Sequence, residues 1–261
     1  MKDLFSVQGK TVVITGGSRG IGLMMARGFV ENGARVYITS RKVEACQKAA
    51  AELNSTGGTC IAIPSDLSGE EGVKGFAAQL KRREQKLDVL INNAGKTWGA
   101  PLDLFPANGW DSVFAVNLQS VFNLTRECIP LLEAAGSQDD PARVINIGSI
   151  AAYITDSMSA YSYGTSKAAV HHLTKTLARE LAPKYITVNA IAPGRFPSAM
   201  TVYVTSDKAR YEAELASIPL HRYGKPEDIA GLAVFLASRA ASFMTGNIIP
   251  LDGGSLISGR F

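Results

Sequence analysis

Cysteine is scarce in this sequence, with three among 261 residues: Cys46, Cys60 and Cys128. Isolated and odd in number, they form neither a disulfide framework nor a metal-spaced cluster, and they are expected to be small buried apolar groups. An excess of one charge is also missing. The 27 Lys and Arg outnumber the 23 Asp and Glu only enough for a net charge of +4, spread along the chain, so there is no nucleic-acid footprint. Long hydrophobic runs are lacking: runs such as Val12-Val13-Ile14 fall far short of the about 20 apolar residues a membrane span needs. Met1-Lys2-Asp3-Leu4-Phe5-Ser6 holds no apolar h-region of a secretory signal, so a cytoplasmic location is expected. Internal repeats, low-complexity tracts and Gly/Pro/Ser-rich linkers are absent as well, and residues 1–261 read as a single domain. What is left is an ordinary globular composition, 46% apolar and 19% charged, in a chain long enough to bury a full core.

Short β-rich runs alternate with longer helical stretches. The candidate strands are 11–15, 35–39, 60–64, 89–92, 144–149, 187–192 and 247–251. Most are continuous apolar runs, as expected for strands covered on both faces. The segments between them are mostly long enough for crossover helices. The pattern predicts an α/β fold, a doubly wound parallel sheet with helices on both faces. Two segments are irregular. Residues 136–141 form a polar connection before a strand. Residues 193–219 hold several prolines and a charged helical piece at 208–215, and are expected to lie over the sheet's C-terminal edge as a substrate loop.

Gly16-Gly17-Ser18-Arg19-Gly20-Ile21-Gly22 runs from the first strand into a helix. Glycines at such a turn let the backbone approach a pyrophosphate, and the helix N-terminus presents free N–H groups and a positive dipole end. A tight structural turn is the alternative reading. A dinucleotide site for NAD usually puts Asp or Glu at the end of the second strand, but here no acidic residue lies between Glu31 and Glu44. Arg41 stands there, and Arg19 stands within the turn. Two guanidiniums suit a 2′-phosphate, so NADP(H) is expected, unless Arg41 is merely a solvated loop residue. Asp66 and Leu67 follow the third strand and join the cofactor set. Asp66 is suited to the adenine amino group, with a cap or turn role as its alternative.

Tyr163 and Lys167 stand at i and i+4, on one face of a helix. An ammonium beside a phenol favours the phenolate, which would make Tyr163 a general acid/base. Ser149 ends a strand, where α/β sheets bind ligands, and its hydroxyl can hydrogen-bond a carbonyl oxygen as negative charge grows on it. Tyr161 is six residues from Lys167 and falls on another side of the helix. His171 and His172 are adjacent and point apart, and with His221 they have no ligand-spaced partner, so no metal is expected.

Taken together, these motifs resemble the short-chain dehydrogenase/reductase family over essentially the full length of the chain. The resemblance rests on Thr15-Gly16-Gly17-Ser18-Arg19-Gly20-Ile21-Gly22, Asn92-Asn93-Ala94-Gly95, Asn117, Ser149, Tyr163, Lys167, Pro193-Gly194 and Asp252-Gly253-Gly254. It implies a seven-stranded Rossmann-type sheet and an Asn117–Ser149–Tyr163–Lys167 catalytic set. Tyr163 would donate a proton to the substrate oxygen. Lys167 would hold the nicotinamide ribose, and Asn117 a water that links Lys167 to solvent. Asn93, Ala94 and Gly95 would brace the cofactor site. Pro193 and Gly194, followed by Phe196 and Ser198, would meet its nicotinamide end. A homotetramer or homodimer, assembled through the helices carrying Asn117 and Tyr163, is implied as well.

Within the family the pattern is most similar to 3-oxoacyl (β-ketoacyl) thioester reductases of the rhamnolipid-linked type. That implies an acyl-carrier-protein or coenzyme-A thioester as the carbonyl substrate. One feature speaks against a carrier protein: Asp139-Asp140, before the strand of Ser149, would repel an acidic partner, with Lys184 a partial offset. A free cyclic, aromatic or sugar-derived ketone is therefore the alternative substrate. A non-catalytic NADP-sensing regulator is the alternative of another class. Trp98, Tyr153, Phe196, Met200 and Tyr203 are candidate apolar pocket residues.

Overall fold

The structure is a computed structural model and describes residues 3–155, 159–198 and 206–258. Seven strands, β1 (Thr11–Thr15), β2 (Arg35–Thr39), β3 (Thr59–Ala62), β4 (Val89–Asn92), β5 (Ala142–Ile147), β6 (Ile186–Pro193) and β7 (Ile248–Leu251), pair in parallel. Their order is β3-β2-β1-β4-β5-β6-β7. The order reverses at β1, which has β2 on one side and β4 on the other. In an open parallel sheet the crevice for a ligand lies there, outside the strands' carboxyl ends.

The apolar runs are two-faced, as expected. Val12 and Ile14 of β1 enter one core with α1 (Gly20–Glu31), α2 (Val43–Asn54) and the late α8 (Pro226–Ala237). Val13 points the other way, with Leu90, Val144 and Val188, into a core made with α3 (Glu70–Lys81), α5 (Ser120–Ala135) and α6 (Tyr161–Leu181). Each fully buried Val, Leu or Ile contributes about 1.5–3 kcal/mol, so two such faces hold the sheet between helical layers. α4 (Ala107–Phe114) continues through a π-helical turn, Ala115–Gln119, into α5. α7 (Lys208–Ser217) is the helical piece of the 193–219 excursion, two residues longer than the sequence suggested. The three cysteines are buried, and burial pushes the thiols of Cys60 and Cys128 up to about 12.

Strand ends move by one or two residues. β5 starts at Ala142 because Ala142 pairs with Ile186 of β6, and β3 stops at Ala62, two residues short of the proline expected to end it. A larger correction concerns residues 136–141. Asp140 binds Lys10 Nζ at 2.8 Å and the buried Arg143 at 3.0 Å. This connection enters β5 from its N-terminal end, whereas Ser149 follows the C-terminal end. At about 3.3 Å per residue, six strand residues put roughly 20 Å of sheet between them. Asp139-Asp140 therefore does not border the crevice. Lys184 does not offset it either, since it pairs with Glu133.

Candidate active site

A cleft of about 600 Å³ opens at the switch point. Every residue assigned to the cofactor set lines it. The turn supplies Gly16, Ser18, Arg19, Gly20, Ile21 and Gly22; the ends of β2 and β3 supply Arg41, Asp66 and Leu67. Asn93, Ala94 and Gly95 come after β4, Tyr163 and Lys167 from α6, and Pro193, Gly194, Phe196 and Ser198 from the end of β6 onward.

The turn is held open by backbone geometry. Gly16 has φ +66°, which favours glycine, and its N–H donates to the Thr39 carbonyl at 2.8 Å. A Cβ on Gly22 would stand 2.3 Å from the Gly16 carbonyl oxygen, so only glycine lets α1 start this close to the turn. Asn93 closes the rear: its Nδ2 donates to the Thr15 carbonyl at 2.8 Å, while Thr15 Oγ1 accepts from the Asn93 and Ala94 N–H groups. α1 has no acidic residue in its first turn and no side-chain cap. Its N–H groups are left for an anion.

The charge of the cleft is mostly of one sign. Among the described residues Arg19, Arg41, Lys42, Lys96, Lys167 and Arg195 line it, against a single carboxylate, Asp66. Among the described residues neither Arg19 nor Arg41 has an ion-pair partner, whereas Arg195 is paired with Glu214 of α7 at 2.7 Å. Asp66 accepts from the Ser68 N–H at 3.0 Å, so its turn role is real as well as its place on the cleft wall. Burial raises its carboxyl, but the Ser68 hydrogen bonds and Arg41's charge outweigh that and hold it below the usual range.

Ser149 stands two residues beyond the end of β5 with an extended backbone and caps the 3₁₀ turn Ile150–Ala152; its Oγ accepts from the Ala151 N–H at 3.1 Å. That bond leaves the hydroxyl proton available to donate. Lys167 is buried, and its Nζ donates to the Ile147 carbonyl at 2.7 Å and sits 5.7 Å from the centroid of the Tyr163 ring. Burial lowers Lys167 to about 8. Asn117 lies in the π-helical turn, buried and behind the cleft wall. Its Oδ1 accepts from the Lys96 N–H at 2.8 Å, and its Nδ2 donates to the Lys96 carbonyl at 3.0 Å and to Ser166 Oγ at 2.9 Å. It thus ties the loop after β4 to α6. A Cβ on Gly95 would lie 3.8 Å from Asn117 Oδ1 and 3.9 Å from Lys167 Nζ, so these two polar groups flank the same small space.

Tyr161 is off the cleft, edge-on to Phe105 with ring centroids 5.3 Å apart. Of the candidate pocket residues among the described ones, only Phe196 lines the cleft. Trp98 packs on Gly109 of α4 and under Lys96, and Tyr153 turns away onto His171. Met200 and Tyr203 lie outside the described residues. The apolar wall beside Ser149 is instead Val116, Ile150, Ala151, Ile154 and Ala160, which sequence reading missed because nothing distinguishes pocket aliphatics from core ones. Lys42 was missed too, although its place beside Arg41 was a usable signal. Among the described residues no group of three His, Cys, Asp or Glu side chains is placed to hold a metal ion, and no helix is long and apolar enough to cross a membrane.

Comparison with known proteins gives three results. A family model described as enoyl-(acyl carrier protein) reductase matches residues 16–255. The rhamnolipids biosynthesis 3-oxoacyl-[acyl-carrier-protein] reductase of Pseudomonas aeruginosa is 50% identical over 97% of this chain and 99% of its own; the 5-keto-D-gluconate 5-reductase of Escherichia coli is 33% identical over 99% and 100%. Among solved structures, the Pseudomonas aeruginosa RhlG/NADP active-site complex superposes with a TM-score of 0.94 at 49% identity, covering 98% of this chain and 99% of that one.

Proposed function

This chain belongs to the short-chain dehydrogenase/reductase family, and from that membership and its cleft we propose that it is an NADPH-dependent carbonyl reductase acting on a 3-oxoacyl thioester. The observation that carries the reading is the meeting, in one cleft, of an uncapped glycine turn flanked by Arg19, Arg41 and Lys42 with Ser149, Tyr163 and Lys167. The residues fit a dinucleotide with a 2′-phosphate. The turn has room for a pyrophosphate where side chains would intrude, and among the described residues the cations at the ends of β1 and β2 have no carboxylate opposite them except Asp66.

When bound, the nicotinamide supplies the hydride. The rest falls to the chain. Ser149 donates a hydrogen bond to the carbonyl oxygen, polarising it as charge accumulates there. Tyr163 delivers the proton to that oxygen, and a cationic Lys167 nearby favours the phenolate left behind. Lys167 would also hold the ribose hydroxyls of the cofactor. Asn117, pinned to Lys96 and Ser166, orders the space between Gly95 and Lys167 through which a water can resupply the proton. A pair of hydroxyls on the cleft wall matches an oxygen acceptor better than the carbon–carbon double bond of an enoyl substrate. The complete Ser149–Tyr163–Lys167 group speaks for turnover and against a cofactor sensor.

The thioester reading rests on the 50% identical relative, and the acidic residues that would have opposed a carrier protein lie at the far edge of the sheet. The exposed side chains of Leu102, Leu104, Trp110, Phe122 and Tyr161, on and around α4, α5 and α6, support a homodimer or homotetramer built on those helices. A cytoplasmic location is part of the same reading. The test is NADPH oxidation against acetoacetyl-coenzyme A, a medium-chain 3-oxoacyl-carrier protein, 5-keto-D-gluconate and uncharged cyclic ketones. The thioesters should have the highest kcat/KM. Silence with thioesters and turnover of the keto-sugar acid would move the protein to the chemistry named for its 33% identical relative.

A further inference from the structure

α6 touches the end of β5 along one stripe. Gly164, Lys167 and His171 are spaced by three and four residues, a single helix face. A Cβ on Gly164 would stand 3.0 Å from the Ala151 carbonyl oxygen. Lys167 Nζ holds the Ile147 carbonyl. A Cβ on Gly148 would stand 2.1 Å from His171 Nε2 and 2.6 Å from its Cδ2, so the imidazole edge lies directly against the Gly148 backbone. The segment 147–151 is therefore gripped at 147, 148 and 151, and Ser149 sits in the gap.

His171 is 7% exposed, and its Nε2 has no hydrogen-bond partner among the described residues. Its ring also meets Tyr153, with centroids 5.1 Å apart and planes at 42°. The Tyr153 N–H in turn closes the 3₁₀ turn on the Ile150 carbonyl at 2.8 Å. The ring is thus a wedge between the strand end before Ser149 and the end of the turn after it. An orphaned buried nitrogen is a burden that a purely packing residue would shed, since an aliphatic side chain fills space without it. A flat ring edge, however, fits against a glycine backbone where a branched side chain would not.

We propose that His171 is a positioning residue for the reaction: wedged against Gly148 and Tyr153, it sets the backbone from which Ser149 presents its hydroxyl to the substrate carbonyl. The proposal rests on the reading of Ser149 as the group that polarises that carbonyl. Burial, with the charges of Lys167 and Lys175, lowers the imidazole to about 4, so it is a neutral wedge at working pH.

The experiment is a double-mutant cycle of His171→Ala with Ser149→Ala. It reads the single-turnover rate of NADPH oxidation with saturating acetoacetyl-coenzyme A, and NADPH binding by fluorescence. His171→Ala should slow turnover about 10- to 100-fold, the range for a group misplaced by roughly an ångström, and leave NADPH affinity within about twofold. In the Ser149→Ala background the same change should cost less than about threefold, since the group it positions is gone. His171→Gln, whose planar amide reaches a similar depth, should restore most of the rate. Should His171→Ala fail to fold, His171→Met, unbranched and without the flat ring, takes its place in the cycle. Equal losses in both backgrounds would mean general packing and overturn the inference. A Ser149→Ala rate equal to wild type would instead overturn the role of Ser149, and the inference with it.

Discussion

Lys167 is a buried lysine on the cleft wall, and its burial has a measurable consequence. Its ammonium is lowered to about 8, against an ordinary lysine value of 10.5. Between those values the unfolded chain binds the proton and the folded one does not, so stability rises with pH across about 8 to 10.5. Below pH 8 the folded protein carries the full penalty of a buried charge, roughly 3 kcal/mol at 1.4 kcal/mol per unit. Lys167→Met should therefore be more stable than the wild type at pH 7 without cofactor, and urea melts should show that gain shrinking by pH 10.5. A gain independent of pH would contradict the burial argument. At the other end of the cleft, Arg41→Asp should invert the preference between NADPH and NADH. A carboxylate repels the 2′-phosphate and can accept from a 2′-hydroxyl. The ratio of the two kcat/KM values is the check. The pair Tyr163–Lys167 was legible from its spacing, since i and i+4 share a helix face, together with Ser149 before it and the glycine turn upstream. Lys96 and Arg195 were not: both are single cations in loops, and Arg195 meets its partner Glu214 only through tertiary packing.

The unit β1–turn–α1 was the most legible element, since a continuous apolar run followed by closely spaced glycines has few other solutions. Its tightest point is Gly22. Gly22→Ala places a Cβ 2.3 Å from the Gly16 carbonyl oxygen and 2.5 Å from Asn93 Nδ2. The helix must then withdraw, at about 1–3 kcal/mol of overpacking. Thermal melts should show that loss, and NADPH affinity should fall at least tenfold; unchanged affinity would mean the turn does not hold the cofactor. The π-helical turn around Asn117 was not legible. One extra residue per turn leaves no mark on apolar periodicity, and only the bonds from Asn117 to Lys96 and Ser166 reveal why the helix widens there.

The whole molecule separates its chemistry from its charged floor. Polar loops gather at both edges of the sheet, and the cleft lies at the C-terminal one. Strand direction alone contained this information, since residues just before a strand cannot border what lies just after it. Asp140 serves the floor, binding Lys10 and the buried Arg143, which also donates to the Ser238 carbonyl at 2.9 Å. Asp140→Ala should lower stability by roughly 1–3 kcal/mol, less than the about 3–5 kcal/mol of a fully buried pair because Asp140 is partly solvated. KM for a carrier-protein thioester should not change; a fall in KM would restore Asp140 to the carrier's docking surface.

One experiment bears on the entire reading: Tyr163→Phe, which removes a single oxygen from the cleft wall. NADPH titration of the variant should give a dissociation constant within about threefold of wild type, while single-turnover reduction of acetoacetyl-coenzyme A should fall about a hundredfold or more. Retained turnover with intact cofactor binding would contradict Tyr163 as the proton donor, and with it the account of how this cleft reduces a carbonyl.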